Sequence, residues 1–121
     1  MSGLRSHRLS AVVSAPQDVL FARQDQLLAL AASAVGEAGL TMLSATGADF
    51  SPHGASVVLL LQESHVALHA WPEHGKVTVD IHVCDFNRDN LERALQLAEA
   101  LSFAAEFPEN RGQWSVQTMR G

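Results

Sequence analysis

From Val77 to Cys84 every second residue is apolar: Val77, Val79, Ile81 and Val83 alternate with Thr78, Asp80, His82 and Cys84. A period of two marks a strand with one buried face and one polar face. His65 to Trp71 lies just upstream, across Pro72-Glu73-His74-Gly75, so the two runs predict a hairpin. Ser56 to Leu61 is a leucine and β-branched run that reads as another strand. Leu40 to Phe50 reads as a strand that enters it through a turn at Ser51-Pro52-His53-Gly54. Arg8 to Ser14 forms a first strand stopped by Pro16, and Gln113 to Thr118 an edge strand near the end.

Two stretches follow a helical period instead. Between Asp18 and Ala38, Leu27, Leu30, Ala31, Ala34 and Ala38 make one stripe, with Gly39 as terminator. After Asn87, an N-cap candidate, Leu91, Leu95, Ala98 and Leu101 make a second stripe, and Pro108 marks its end. The order is strand, helix, four strands, helix, strand. It predicts an α+β fold, a two-layer α/β sandwich: a mostly antiparallel sheet with two helices packed on one face. The other sheet face must then meet water or a partner.

Composition narrows the functional classes. The chain has 121 residues, enough for a single domain spanning 1–121. Its net charge of −5 argues against nucleic-acid binding, which needs a basic stripe. The longest apolar run, Val57 to Leu61, is strand-length, so no membrane span is expected. Cys84 is the only cysteine, which excludes an internal disulfide and suggests a reducing, cytoplasmic setting.

The segment Gln62-Glu63-Ser64-His65-Val66-Ala67-Leu68-His69-Ala70-Trp71-Pro72-Glu73 concentrates the candidate chemistry. On a strand, His65, Ala67, His69 and Trp71 share a face, and pairing across the hairpin brings Cys84's strand alongside. A nucleophile, a base and a thiol then become neighbours. Bland roles compete: Cys84 as apolar filler and Trp71 as core packing. Zinc at His65 and His69 is rejected, because a strand sets them roughly 13 Å apart, too far for one ion.

The segment resembles the motifs of the pyruvoyl-dependent S-adenosylmethionine decarboxylase family. Glu63-Ser64-His65 is similar to its self-cleavage site, His69-Ala70-Trp71-Pro72-Glu73 to the run that follows, and Val79-Asp80-Ile81-His82-Val83-Cys84 to its acidic-aliphatic strand ending in cysteine. Phe50-Ser51-Pro52-His53-Gly54-Ala55-Ser56 resembles the family's Phe-Ser-Pro-x-Gly-x-Ser turn, and Arg111-Gly112 a weaker C-terminal pattern. The resemblance implies a proenzyme. The Ser64 hydroxyl attacks the Glu63 carbonyl, Ser56 assists processing, and His69 removes the Ser64 α-proton. The products are a β chain, 1–63, and an α chain, 64–121, whose new terminus carries a pyruvoyl group made from Ser64. That ketone holds the substrate amine as a Schiff base and accepts the electrons left by carbon dioxide. Cys84 matches the proton donor and Phe50 an aromatic that stacks on adenine. Trp71 and Glu73 match pocket residues, with Glu73 placed for ribose hydroxyls or a positive group. The implied reaction makes the aminopropyl donor for spermidine synthesis, and the implied assembly is a homodimer of processed protomers.

The match has departures. An aromatic, a threonine and cysteine-glycine are common where this chain has His82, Val83, Cys84 and Asp85. His53 stands where a tyrosine is common, and His74-Gly75-Lys76 where Tyr-Gly-Tyr is common. Asp85 beside the proton donor suggests a guanidinium or ammonium substrate, so decarboxylation of arginine or ornithine is the second expectation. A non-catalytic regulatory homologue is the third, and intact Ser64, His69 and Cys84 argue against it.

Overall fold

A computed structural model describes residues 3–121. The strands are β1 (Arg5–Ser14), β2 (Met42–Asp49), β3 (Ala55–Leu61), β4 (Ser64–Trp71), β5 (Lys76–Cys84) and β6 (Ser115–Arg120). They form one sheet in the order β2-β3-β4-β5-β1-β6, with antiparallel pairing between every neighbouring pair. The β2-β3-β4-β5 meander follows from short turns between consecutive strands. β1 comes from the start of the chain to separate β5 from β6.

The alternation predicted for β5 is present: Val77, Val79, Ile81 and Val83 are buried, and the residues between them are not. β4 repeats it with Val66, Leu68 and Ala70 inward, and β1 with His7, Leu9, Ala11 and Val13 inward. Removing such aliphatic side chains from water stabilises the fold by roughly 1.5–3 kcal/mol each. The helices α1 (Gln17–Leu20), α2 (Gln24–Glu37) and α3 (Leu91–Ala100) cover the inward face, α2 over β2 and β3, and α3 over β1 and β5. The opposite face of the sheet carries no helix among the described residues.

The helices differ from the pattern reading in three ways. The expected helix over 18–38 is interrupted between Leu20 and Gln24. A carboxylate from the sheet explains the restart: Asp49 Oδ1 accepts the Gln24 backbone N–H at 2.7 Å, and Gln26 Oε1 accepts that of Arg23 at 3.0 Å. This cap comes from the end of β2, so local spacing does not show it. The second helix starts at Leu91, and Asn87 instead takes a left-handed turn at φ 61°. Its start is set by Asn90, which is fully buried. Asn90 Nδ2 donates to the Cys84 carbonyl and its N–H donates to Asp85. α3 ends at Ala100, well before Pro108, which opens a 3-10 turn. Its buried stripe is Ala94, Leu97 and Ala98, with Leu101 just beyond; Leu95 faces out, 42% exposed. Gly39 does end α2, at φ 79°, a conformation that other residues adopt at a cost.

Candidate active site

Gln62 and Glu63 are the two residues between β3 and β4, and Leu61 pairs with Ser64 across them. Two-residue hairpin loops usually rely on Gly or Asn at positive φ. This one has neither, and the positive φ falls on Ser64, at 151°. A side chain there carries strain of about 1–3 kcal/mol, held in place by its surroundings. Those surroundings are specific. The Gln62 N–H donates to the Thr41 carbonyl at 2.8 Å. The Glu63 carboxylate, 5% exposed, accepts the Thr41 N–H at 3.1 Å. The Glu63 carbonyl oxygen accepts the Cys84 backbone N–H at 2.9 Å. This last bond polarises the carbonyl of the Glu63–Ser64 peptide, the bond the family resemblance marks for cleavage.

Strict alternation would point Ser64 inward with Val66 and Leu68. Its Oγ instead lies 3.4 Å from His82 Nδ1. His82 is the hub of this end of the open face. Its Nε2 lies 2.7 Å from Ser6 Oγ and 3.6 Å from Cys84 Sγ, and the His65 ring stands edge-on at 5.2 Å. Burial, then the charges of Arg8 and His65, push the His82 imidazole below its usual titration range. Leu4, Ser6, Arg8, His82, Cys84 and Met119 line an open hollow of about 290 Å³ here. Sequence reasoning placed His82 on the correct face beside Cys84 but gave it no role. Ser6 and Arg8 were missed, because only the pairing of β1 with β5 brings them there.

The remaining candidates lie at the other end of the same face. Ser56 pairs with His69 across β3 and β4, and Ser56 Oγ meets His69 Nδ1 at 2.7 Å. Phe50, 54% exposed, follows β2 two residues past the partner of Ser56. Trp71, 45% exposed, donates its Nε1–H to Thr78 Oγ1 at 3.2 Å, and Glu73 sits exposed in the β4–β5 turn. Trp71 is therefore not core packing. An approach of His69 to Ser64 within one chain is excluded by the register. Ser64 and His69 are five residues apart on one strand, roughly 16 Å. Cys84, by contrast, does come beside Ser64, whose β5 partner is Val83.

Asp85 does not serve the open face. Its Oδ1 accepts from His7 Nε2 at 2.9 Å and from the Asn90 N–H at 2.9 Å, and Arg5 pairs with its other oxygen at 3.2 Å. Burial alone would raise its pKa. The Asn90 and His7 hydrogen bonds and the Arg5 charge outweigh this and hold the carboxyl below its ordinary value. The physical basis for a guanidinium or ammonium substrate is thereby removed. His7, fully buried, also bonds Thr118 Oγ1 at 2.9 Å, so this network ties β1, β5 and β6 together. Ligand atoms of His7, Asp85 and Asp89 come within 4.8 Å of one another, but Arg5 already pairs with both carboxylates.

The chain is similar to known proteins in sequence and in fold. A family model described as S-adenosylmethionine decarboxylase matches residues 9–106. The chain is 47% identical over 62 residues to the S-adenosylmethionine decarboxylase proenzyme of Aquifex aeolicus, covering 51% of this chain and 46% of that protein. It is 33% identical over 81 residues to the proenzyme of the same name from Archaeoglobus fulgidus, covering 67% and 71%. Against the Aquifex protein, the chain spans about half the length of the curated relative it matches. The crystal structure of the adenosylmethionine decarboxylase from Aquifex aeolicus superposes with a TM-score of 0.72 at 28% identity, over 98% of this chain and 91% of that one.

Proposed function

This chain belongs to the S-adenosylmethionine decarboxylase family, and from that premise we propose that it is a self-cleaving proenzyme whose mature homodimer decarboxylates S-adenosylmethionine. The observation that carries the reading is the Glu63–Ser64 peptide. Its carbonyl oxygen accepts the Cys84 N–H, its serine backbone is strained at φ 151°, and its hydroxyl lies on the open face. These features favour attack of Ser64 Oγ on the Glu63 carbonyl, because a carbonyl polarised by a hydrogen bond is a better electrophile and cleavage relieves the backbone strain at Ser64.

Cleavage there gives a β chain of 1–63 and an α chain of 64–121. The surroundings of Ser64 fit a pyruvoyl group formed from it, since the Cys84 thiol and the hollow beside His82 lie next to the new terminus. Such a group supplies a ketone that holds a substrate amine and an electron sink for the bond to carbon dioxide. Cys84 holds the proton to be returned to the α-carbon. A free thiol suits that task, and keeping it reduced suits the cytoplasm.

Two copies are needed. Each protomer carries Ser64 and Cys84 at one end of the open face, and Ser56, His69, Phe50, Trp71 and Glu73 at the other. The open face also exposes Val58, Leu60 and Val12, 38%, 51% and 52% exposed, which a partner would cover. A two-fold pairing of these faces is self-complementary. It sets the His69 end of one chain over the Ser64 end of the other and completes two sites at once. His69 of the second copy then removes the Ser64 α-proton, with Ser56 orienting its ring. Phe50 and Trp71 offer flat faces for adenine and the sulfonium charge, and Glu73 an acceptor for ribose hydroxyls.

The test measures cleavage and turnover together. The purified protein should run as two fragments on a denaturing gel and release carbon dioxide from S-adenosylmethionine in preference to arginine and ornithine. An unbroken chain with full turnover, or preference for a basic amino acid, refutes the reading.

A further inference from the structure

We propose that His82 is the base that takes the hydroxyl proton of Ser64 during self-cleavage, a role that rests on the proenzyme reading above. Of the six histidines, His82 is the one in hydrogen-bond contact with Ser64 Oγ, at 3.4 Å from Nδ1. His69 of the same chain is roughly 16 Å along β4. His65 is a neighbour of Ser64 in sequence, but it packs its ring against His82.

The other side of the His82 ring is also engaged. Ser6 Oγ lies 2.7 Å from Nε2; in the tautomer the proposal requires, Nε2–H donates to Ser6 Oγ and the Nδ1 lone pair faces Ser64. The arrangement is a nucleophile, a base and an orienting group in sequence, the geometry that activates a hydroxyl. Cys84 contributes on the electrophile side, where its N–H holds the Glu63 carbonyl oxygen as negative charge develops.

The step balances without another reactant. The Ser64 Oγ–carbon bond forms to the Glu63 carbonyl, and the bond from that carbon to the Ser64 nitrogen breaks. The hydroxyl proton passes to His82 Nδ1 and from there to the departing nitrogen, which becomes a free amine. The product is an ester of the Glu63 carboxyl with the Ser64 hydroxyl. Removal of the α-proton is a later, separate event.

Charged and titratable groups surround His82 on every side. Arg8 faces it from β1, its partner in register, and His65 faces it from β4. Asp80 and Cys84 flank it along β5, and Arg120 and Gly121 stand at the rim of the hollow. Burial, Arg8 and His65 hold the imidazole below its usual value of 6.5, which favours the neutral ring and its free lone pair.

The experiment follows cleavage of freshly synthesised chain over time on denaturing gels, as a function of pH. In wild type the rate should rise with pH, with its midpoint below 6.5, and then level off. His82→Ala should cleave about 100-fold more slowly, lose that rising limb, and recover with added imidazole. The uncut His82→Ala chain should resist hydroxylamine, because it remains an amide; a chain blocked at α-proton removal would hold an ester and be cut. His82→Gln supplies the same readouts if circular dichroism shows that the alanine variant is unfolded. Wild-type cleavage rates and pH profile in the folded variant, or a hydroxylamine-sensitive ester in it, overturn the assignment and leave the proenzyme reading standing. An uncut wild-type chain instead sinks that reading, and the assignment with it.

Discussion

The two ends of the open face are built by different means, and under the proposed dimer the difference leaves each chain with half a site. The His69 end is local: Ser56 and His69 face each other across one hairpin, and Phe50, Trp71 and Glu73 lie within a few residues of its strands. The Ser64 end is assembled from distant parts of the chain. Ser6 from β1 and His82 and Cys84 from β5 meet the β3–β4 turn, and Thr41 pins that turn from behind. The local end has a base, His69, that cannot reach Ser64 of its own chain. The assembled end has a nucleophile and a thiol without the base for α-proton removal. A single rigid strand separates them, so motion within one protomer cannot close the gap.

The most severe test of this contrast mixes two dead variants. Ser64→Ala and His69→Ala should each abolish both cleavage and turnover when made alone. Co-expressed, they should form mixed dimers with one intact site, restoring about a quarter of wild-type decarboxylation if the chains pair at random. No recovery would mean that each chain completes its own site.

A smaller effect is expected from the surface between the two ends. Leu60 is 51% exposed on β3 and points away from the helices. Leu60→Asp places a charge in the proposed contact between copies, where it would be desolvated. Size measurement should show monomers, and cleavage should fall at least about 10-fold through loss of the partner's groups. A monomer that still cuts itself at the normal rate would break the comparison.

The smallest effect belongs behind the assembled end. Asp85→Asn should lower thermal stability by about 1–3 kcal/mol through the weakened bonds to His7, Asn90 and Arg5, while cleavage and substrate preference stay near wild type. The sign with pH follows from the depressed carboxyl. Its contribution is present above the ordinary value of 3.8 and is lost as pH falls through the lower folded value. The stability gap between wild type and Asp85→Asn should therefore be full at pH 6 and shrink in acid. A change of substrate preference would show that Asp85 faces the pocket after all.

Much of this arrangement was legible in particular residues. The alternation through β5 placed His82 and Cys84 on one face, because adjacent side chains on a strand must point opposite ways. The motif Glu63-Ser64-His65 with its companions identified the family. The Ser56–His69 contact was also within reach of the sequence. A two-residue turn at Gln62-Glu63 makes Leu61 face Ser64, and counting back along the two strands sets Ser56 opposite His69. The misjudged parts depended on partners elsewhere. Asp49 caps α2 from the end of a strand, and Asn90 starts α3 by holding the end of β5. Asp85 follows Cys84, but His7 and Arg5 draw its carboxylate to the helix side.

By itself, the amino-acid order determined the strands and the polar face, because these depend on neighbours within a few residues, and its motifs carried the resemblance from which the cleaved bond is proposed. Only the tertiary structure decided which groups stand beside Ser64. The insertion of β1 next to β5 delivers Ser6 to His82, and the length of β4 keeps His69 away. Covalent sequence carries local periodicity, whereas register between distant strands is chosen by the packing of the whole sheet.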